Sequence, residues 1–322
     1  MSTNRVVLLS SPSTDESSPD EKDTLLQADA VSQALSANGF SPYPVAFTIE
    51  WEKLRKEIDR NKPVFIFNLV ETVMGSRLIH LAPALAEWLN LPCTGGNTEN
   101  LRITSNKILT KNLLHKAGIP TPPWGVSRNP GSINALLDKT VIVKPVWEDA
   151  SVGITDKSVG NFPNLQKILA VSPLEMFAEV YVDGREFNLS VIEKDGQPQV
   201  LPPAEIRFVN FPENMARIVG YKAKWDPEAF EYINTIRTFT FSSPGDKLLL
   251  KKLEELAIQC WELLDLRGYA RVDFRVDSSG RPWVLEINAN PCLSPDSGFT
   301  ASALMGDYTY EEMIGVICDA AG

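Results

Sequence analysis

Short, fully apolar runs alternate with amphipathic segments over the first hundred residues of the chain. The apolar runs have the length of buried strands, and the amphipathic segments repeat their apolar positions at helical spacing. The predicted strands cover residues 6–10, 43–46, 63–69 and 91–96, and the predicted helices cover 22–38, 51–60 and 76–90. Because strands and helices alternate, this part is expected to form a doubly wound parallel sheet of the α/β class.

The alternation ends after residue 105, and from the strand at 174–182 onward strands and hairpins follow one another directly. The Asp183-Gly184 and Asp195-Gly196 dipeptides are typical of hairpin turns and indicate antiparallel pairing. Helices are predicted at 105–117, 246–266 and 310–320, strands at 140–146, 174–182, 185–194, 271–276 and 284–288, a strand-rich return at 230–241, and a long irregular stretch at 210–227. We therefore expect three domains, with the bounds 1–100, 101–182 and 183–322.

The hairpin near the C-terminus carries the densest pattern of charged side chains. Side chains two residues apart on a strand share a face, so Arg271, Asp273 and Arg275 point the same way. The same rule places Glu286 and Asn288 together, with Leu285 and Ile287 on the opposite face. Antiparallel pairing would gather two carboxylates and an amide beside Arg271, and such oxygen ligands suit Mg²⁺. A solvated polar face is the alternative interpretation.

Composition and charge restrict the class of protein. The 322 residues are 43% hydrophobic and 22% charged, as in an ordinary soluble globular protein. A formal net charge of −10 argues against nucleic acid or an anionic membrane as a general partner. The four cysteines are scattered without metal or disulfide spacing, and no apolar run has the length of a membrane span. We therefore expect a cytoplasmic protein with no membrane partner.

Several charged residues stand out from the elements that carry them. Lys107 and Lys111 are one turn apart on a predicted helix and share a face. Lys144 lies among apolar residues of a strand, where a charge without a partner is rare, although a lysine at a strand edge can also reach water. Glu179 and Glu186 flank the Asp-Gly turn, where glutamates are also common as solubilising groups.

Four stretches carry these residues in a characteristic order: CTGGNTENLRITSNKILTKNLLHKAGIPTPPW, VIVKPVWEDASVG, AEVYVDGREFNLSVI and RVDFRV followed by LEINANP. Their order and spacing resemble the ATP-grasp superfamily and, within it, the D-alanine–D-alanine ligases. The resemblance covers most of the chain. It implies an ATP-grasp fold preceded by an N-terminal α/β domain of the pre-ATP-grasp type, ATP as cofactor, and two Mg²⁺ ions, with Mn²⁺ as a substitute.

The resemblance also implies roles for individual positions. Lys107 and Lys144 match lysines that contact the ATP phosphates, and Lys224 matches a lysine on a lid that closes over the γ-phosphate. The nucleotide set is completed by Ser151, Glu179 and the hinge residues Tyr181 and Val182, the ribose acid Glu186, and Leu285. The metal ligands are Asp273, Glu286 and Asn288, and the catalytic set comprises Arg271 beside the acyl-phosphate, Lys224, and Ser297 near the carboxylate of the amine substrate.

The chain departs from the family where the first substrate is expected. Ala150 replaces a serine of the loop after the VKP strand, and Trp225 replaces the tyrosine that follows the lid lysine. Glu71-Thr72 stands where the family has a His-Gly pair, and Cys292 replaces a glycine. The N-terminal loop aligns poorly, with Asp20 or Glu21 as its nearest acids. We therefore expect an intact nucleotide and metal site beside a rebuilt pocket, in which Glu71 faces a cationic group or solvent.

These departures favour an ATP-dependent carboxylate–amine ligase that acts on amino acids or a small peptide other than two D-alanines. The alternatives are a D-alanine–D-alanine ligase with a tolerant pocket, a nucleotide-binding module without ligase activity, and a kinase that stops at the acyl-phosphate. The partners are then small molecules. A homodimer is expected only because the enzymes that the chain resembles often are dimers.

Overall fold

The computed structural model describes residues 4–12, 19–73, 75–126 and 130–321, without the side chains at 19–21, 130, 168, 170 and 171. The expectations for the loop at 13–18 and for the acidic side chains of Asp20 and Glu21 thus lie outside the described residues. The strands are β1 (Arg5–Ser10), β2 (Ser41–Ala46), β3 (Phe65–Leu69), β4 (Trp124–Gly125), β5 (Thr140–Pro145), β6 (Val159–Asn161), β7 (Met176–Val180), β8 (Gly184–Lys194), β9 (Gln197–Val200), β10 (Ala204–Phe208), β11 (Thr235–Thr238), β12 (Tyr269–Asp277) and β13 (Pro282–Asn288). The helices are α1 (Pro19–Ala37), α2 (Trp51–Asn61), α3 (Leu81–Leu89), α4 (Thr98–Thr104), α5 (Lys107–Lys116), α6 (Pro130–Asn134), α7 (Phe162–Val171), α8 (Tyr221–Trp225), α9 (Phe230–Ile233), α10 (Asp246–Leu263), α11 (Gly298–Met305) and α12 (Tyr310–Asp319).

The N-terminal sheet is parallel, with strand order β2-β1-β3. Because β1 and β3 are buried on both faces, their residues are apolar almost without interruption. One face packs against α2 and α3 through residues such as Leu54 and Leu85, and the other packs against α1 through Val31 and Leu35. The predicted doubly wound parallel sheet is confirmed.

The last helix of the chain completes the core of this N-terminal sheet. Met313, Ile314 and Ile317 of α12 are fully buried in the same apolar cluster as Val6 and Leu8 of β1. The first and last parts of the chain thus share a core. That core therefore contains residues of both the first and the third expected domain.

Two antiparallel sheets follow and carry the candidate chemistry. The smaller has strand order β4-β7-β5-β6, and the larger has order β11-β10-β8-β12-β13, with β9 paired to the edge of β8. Helix α10 covers the apolar face of the larger sheet, where Leu253 and Ala257 lie in one cluster with Val272 and Phe274. That leaves the opposite face of β8, β12 and β13 to line a cleft.

The structure corrects several predicted elements. The helix expected at 76–90 is a 3₁₀ turn (Ser76–Leu78) followed by α3, because the ring of Pro83 excludes a helical bond to the carbonyl of Ile79 and must lie in a first turn. The helix expected at 105–117 is α5, and α4 ends just before it, because the Asn106 side chain caps α5 and breaks the helical backbone.

The hairpin expected at Asp183-Gly184 does not form. The strands on its two sides pair in different sheets, β7 with β4 and β5, and β8 with β9, β10 and β12.

Other differences concern short segments. The strand expected at 91–96 is reduced to one bridge between Cys93 and Ile66, since the proline and two glycines there cannot sustain a ladder. The stretch at 210–227 contains α8, and the return at 230–241 contains α9 before β11. Within the described residues, no helix combines the length and apolar character needed to cross a bilayer.

Candidate functional site

The hairpin of β12 and β13 brings the expected metal ligands together on the cleft face. Asp273 lies opposite Glu286, and Arg271 lies opposite Asn288. Arg271 donates from Nε and Nη2 to the two carboxylate oxygens of Asp273, both at 2.8 Å, and Asn188 on β8 donates to Asp273 Oδ1 at 2.7 Å. A carboxylate has about four acceptor positions, so these three bonds leave room for one more ligand on Asp273.

A β-bulge corrects the expected position of Leu285. The register moves from Asp273 opposite Glu286 to Phe274 opposite Val284, which leaves Leu285 as the extra residue. Val284 and Ile287 both lie in the core under α10, whereas Leu285 and Glu286 are half-buried outside it. Leu285 was expected on the other face of the strand from Glu286, and that placement is wrong because the bulge interrupts the alternation. Leu285 therefore lies outside the apolar core under α10.

Glu286 is surrounded by cations that come from separate parts of the chain. Burial alone would raise the pKa of its carboxyl group, but Lys107, Lys144, Arg271 and Lys224 outweigh that effect and lower the pKa to about 2. Lys107 lies 3.8 Å from Glu286 and 2.9 Å from Asp149. Glu286 is therefore ionised at all ordinary pH values and can serve as an anionic ligand.

Lys144 also belongs to a buried ion triad with Glu179 and Lys111. Glu179, only 1% exposed, lies 2.6 Å from the ammonium of Lys144 and 2.5 Å from that of Lys111. Burial would raise the pKa of Glu179, but the two lysines outweigh it and hold the pKa below its usual range. Lys111 also donates to Thr121 Oγ1 at 2.8 Å, and Thr121 donates to the carbonyl of Val284 on β13 at 2.9 Å. The triad thus joins the two antiparallel sheets.

The long loop before α8 lies closed over the cleft. Ser151 donates to the carbonyl of Val219 at 2.7 Å, and the backbone N–H of Tyr221 donates to the carbonyl of Ile154 at 3.1 Å. The indole N–H of Trp225 donates to the carbonyl of Ala150 at 3.0 Å. Ala150 therefore meets Trp225 through its backbone, although both family hydroxyls are absent. Residues 209–225 are called the lid from here on.

Lys224 is carried into the site by α8 at the end of the lid. Burial lowers the pKa of its ammonium, and the nearby Arg271 lowers it further, while Glu286 and Asp273 oppose the shift. These groups place Lys224 beside the metal-ligand face, as expected for a lysine that meets a phosphate. Glu286 and Asp273 balance the charge of Lys224, and they lie on the face that a bound polyanion would also approach.

The residues expected to form the nucleotide hinge are grouped around Arg275 on β12. Glu186 on β8 pairs with Arg275 on β12, with Arg275 Nη2 at 2.6 Å from Glu186 Oε2. Tyr181 and Val182 follow β7 and lead into the turn before β8. The sequence predicted only that Arg275 shares a face with Arg271 and Asp273. Its pairing with Glu186 could not be predicted, because it depends on β8 lying beside β12 in the sheet.

Ser297 caps the N-terminus of α11, where its Oγ accepts from the backbone N–H of Thr300 at 3.2 Å. Arg237, which the sequence did not single out, reaches across from β11 and donates to the carbonyls of Asp296 and Ser297 at 3.1 and 3.3 Å. Loss of hydration lowers the pKa of Arg237, and Arg271 lowers it further. The guanidinium of Arg237 therefore lies at the positive end of a helix, an arrangement that an anion stabilises.

Two of the departures from the family, Glu71 and Cys292, lie in one polar cluster near the carboxyl end of β3. Glu71 accepts a 2.6 Å hydrogen bond from Gln27 on α1, while Asp23 accepts from Ser294 at 2.8 Å and from the thiol of Cys292 at 3.1 Å. Burial raises the pKa of Glu71 to about 7, with Asp23 raising it and both Gln27 and Lys224 lowering it. Glu71 is thus an electrostatic neighbour of the lid lysine.

The donor set fits a hard divalent cation bound together with a polyanion. Within the described ranges, no cluster of three or more His, Cys, Asp or Glu side chains would hold a metal ion by itself. Two carboxylates and an amide on one face, with one open acceptor position on Asp273, match an ion that takes its other ligands from phosphate and water.

Comparison with known proteins gives a consistent result. The family model described as D-ala D-ala ligase C-terminus matches residues 113–319. The uncharacterized protein y4sG of Sinorhizobium fredii is 30% identical over 261 residues, or 80% of this chain and 74% of that protein. The D-alanine–D-alanine ligase of Acinetobacter baumannii strain AYE is 28% identical over 242 residues, covering 72% of each chain.

Solved structures show the same architecture. The D-alanine–D-alanine ligase of Bacillus anthracis complexed with ATP superposes with a TM-score of 0.74 at 19% identity, over 99% of this chain and 97% of that one. D-alanyl-alanine synthetase A of Vibrio cholerae gives a TM-score of 0.74 at 17% identity, over 100% and 99%. At these identities the structural likeness establishes the fold alone.

Proposed function

We propose, since this chain belongs to the D-alanine–D-alanine ligase family, that it joins the carboxylate of one amino acid or small peptide to the amine of another. As a member of that family it is an ATP-dependent ligase that forms C–N bonds. The proposal concerns its substrates and the residues that act on them. Its first substrate is expected to differ from D-alanine, because the pocket at the carboxyl end of β3 differs from the family pattern.

The observation that carries the proposal is the convergence on Glu286. Lys107 from α5, Lys144 from β5, Lys224 from the lid and Arg271 from β12 all act on this one carboxylate. Cations from four separate elements are costly to hold together unless a larger anion joins them. A nucleoside triphosphate with a divalent cation supplies such an anion.

The residues present account for activation of a carboxylate. One oxygen of the first substrate attacks the γ-phosphorus of ATP, the bond to the ADP oxygen breaks, and ADP leaves an acyl-phosphate behind. In this proposal Lys107, Lys144 and Lys224 hold the phosphates in line for this transfer. Mg²⁺ or Mn²⁺, held by Asp273, Glu286 and Asn288, would neutralise the charge on the phosphate oxygens.

The second step forms the amide bond. The amine nitrogen attacks the acyl carbon, loses a proton, and expels inorganic phosphate, which retains one oxygen of the original carboxylate. In this proposal Arg271 stabilises the oxyanion of the tetrahedral intermediate, a role worth about 3–4 kcal/mol for one donor in other enzymes. The closed lid excludes water, which would otherwise hydrolyse the acyl-phosphate.

The first-substrate pocket is where this chain sets its own specificity. Glu71 and Asp23 supply negative charge on one side of the pocket, beside Gln27. An ammonium group on the first substrate would favour the ionised form of Glu71. We therefore assign the first subsite to a carboxylate substrate that carries an amino group, such as an amino acid or a dipeptide.

The test is ADP release with MgATP and paired panels of amino acids and dipeptides, with the amide product identified by mass spectrometry. The expected result is turnover that needs both a carboxylate and an amine substrate. Asp273→Asn is expected to abolish turnover in the same panel. The ligase proposal fails if the wild-type protein binds ATP and no pair raises turnover. D-alanine is included in both panels, because curated relatives are named D-alanine–D-alanine ligases, and D-alanine dimer formation as the main activity would replace the proposed specificity.

A further inference from the structure

Arg275 is a buried arginine beside the expected nucleotide hinge, where it pairs with Glu186. Only 4% of its surface is exposed. Besides Glu186, its guanidinium donates to the carbonyls of Val182 at 3.4 Å and Gly184 at 3.3 Å, on both sides of the hinge turn. The side chain thus fixes the expected ribose acid and the hinge backbone at once.

The same guanidinium also forms a hydrogen bond with the lid. Nη2 of Arg275 donates to the carbonyl of Arg217. The hydroxyl of Tyr181, on the hinge, donates to that same carbonyl at 3.2 Å. Two donors, one on β12 and one on the hinge, therefore converge on one carbonyl of the lid. Since a carbonyl oxygen has two lone pairs, the pair of donors saturates it.

Aromatic rings hold the guanidinium in this position. Arg275 lies 5.8 Å from the ring centre of Tyr181 and 5.2 Å from that of Phe208 on β10. A planar guanidinium can donate in several directions while it packs against rings, whereas a lysine ammonium is a single point charge on a flexible stem. Lysine in this place would keep the pairing with Glu186 and lose the simultaneous bonds to hinge and lid.

We propose that Arg275 is a positioning residue that couples nucleotide binding at the hinge to closure of the lid. The proposal rests on the proposed function, in which ATP occupies the hinge. A nucleotide that orders Glu186 and the hinge also orders Arg275, and Arg275 then holds the lid at Arg217. In turnover, loss of this coupling leaves the acyl-phosphate open to water, so ADP forms in excess over amide.

The test uses tryptic cleavage after Arg217, because the carbonyl of the scissile bond is the one that Arg275 and Tyr181 hold. Wild-type protein, Arg275→Lys and Arg275→Met are digested with and without magnesium and a non-hydrolysable ATP analogue. Arg185→Met is the matched control, because Arg185 is also ion-paired in this sheet but binds Glu205 and Asp246 outside the cleft. Analogue binding is measured separately by thermal shift.

The analogue is expected to slow cleavage at Arg217 at least about 10-fold in the wild type and in the control. Cleavage requires the bond from Arg275 to the Arg217 carbonyl to break, and a hydrogen bond to a charged group is worth at least that factor. In Arg275→Lys, the analogue is expected to bind while protection at Arg217 falls to less than about 3-fold. Protection of Arg275→Lys equal to that of the wild type overturns the positioning role.

The two proposals fail in distinguishable ways. A wild-type protein that does not bind the analogue contradicts the proposed function. In that case the nucleotide-free digests still decide the role of Arg275, because its bond to the carbonyl of Arg217 shields the scissile bond directly. Equal cleavage rates at Arg217 in wild type and Arg275→Lys then contradict the proposal. If Arg275→Met fails to fold, Arg275→Lys alone carries the comparison.

Discussion

Lys111→Met removes one cation from the buried triad behind the phosphate-binding lysines. Lys111 and Glu179 are each 1% exposed, and Glu179 also holds Lys144 at 2.6 Å. Removing one partner of a buried ion pair costs about 3–5 kcal/mol when the other charge is left alone. Here Glu179 keeps Lys144, and methionine fills most of the lysine volume, so we expect a loss of about 2–3 kcal/mol in the free energy of unfolding.

The same variant is expected to weaken ATP binding. Without Lys111, Glu179 is free to draw the ammonium of Lys144 away from the phosphates. We expect the KM for ATP to rise about 10-fold, which corresponds to about 1.4 kcal/mol, with a smaller change in the KM for either amino-acid substrate. Urea unfolding and initial rates of ADP release measure the two effects separately.

Lys116→Met is the matched control, because Lys116 lies on the same helix and is exposed. It is expected to change the free energy of unfolding by less than about 0.5 kcal/mol and to leave the KM for ATP unchanged. The reasoning is refuted if Lys111→Met behaves like this control, since Glu179 and Lys144 would then be held in place without Lys111.

Three further variants test the pocket and the lid. The pKa of Glu71 is raised to about 7. The folded state therefore holds a proton that the unfolded state releases, and the stability contribution of Glu71 falls as pH rises from about 4.5 to about 7. Glu71→Gln is expected to remove that fall in urea unfolding and to flatten the pH dependence of the first substrate's KM near pH 7. Trp225→Phe loses the bond to Ala150, and the ratio of ADP to amide is expected to rise about 5-fold in coupled product assays, as for one hydrogen bond of about 1 kcal/mol; an unchanged ratio means that this bond does not hold the lid. Arg237→Gln is expected to raise the KM for an amine substrate with a free carboxylate about 10-fold and to leave that of its amide unchanged, as for one charge-assisted hydrogen bond; equal effects on both place Arg237 outside the substrate site.

The architecture was predictable because its signals are local. Strand–helix alternation at the N-terminus indicated the parallel sheet, and the Asp195-Gly196 turn indicated the antiparallel pairing of β8 with β9. The hairpin expected at Asp183-Gly184 was wrong, because pairing between distant strands places β7 and β8 in different sheets. The ATP-grasp fold expected from the four motifs is confirmed. The placement of Asp273 and Glu286 on one face beside Arg271 also followed from alternation and antiparallel pairing. The expected domain bounds and the individual site roles stay predictions.

Other features depend on the tertiary arrangement of distant segments. The bulge at Leu285 is an irregularity of pairing, and nothing in the VLEIN sequence marks it. The bond from Asn188 to Asp273 and the pairing of Glu186 with Arg275 need β8 beside β12, which the sequence does not order. The lid contacts use backbone carbonyls at Arg217 and Val219, which carry no side-chain signal at all.

The central claim is amide formation through an acyl-phosphate, and the fate of one oxygen tests it most directly. The carboxylate of the best first substrate is labelled with ¹⁸O, and the products of turnover with MgATP and the amine are analysed by mass spectrometry. The account predicts one ¹⁸O atom in each inorganic phosphate released, together with ADP and the amide. Unlabelled phosphate, or AMP with pyrophosphate, would contradict it.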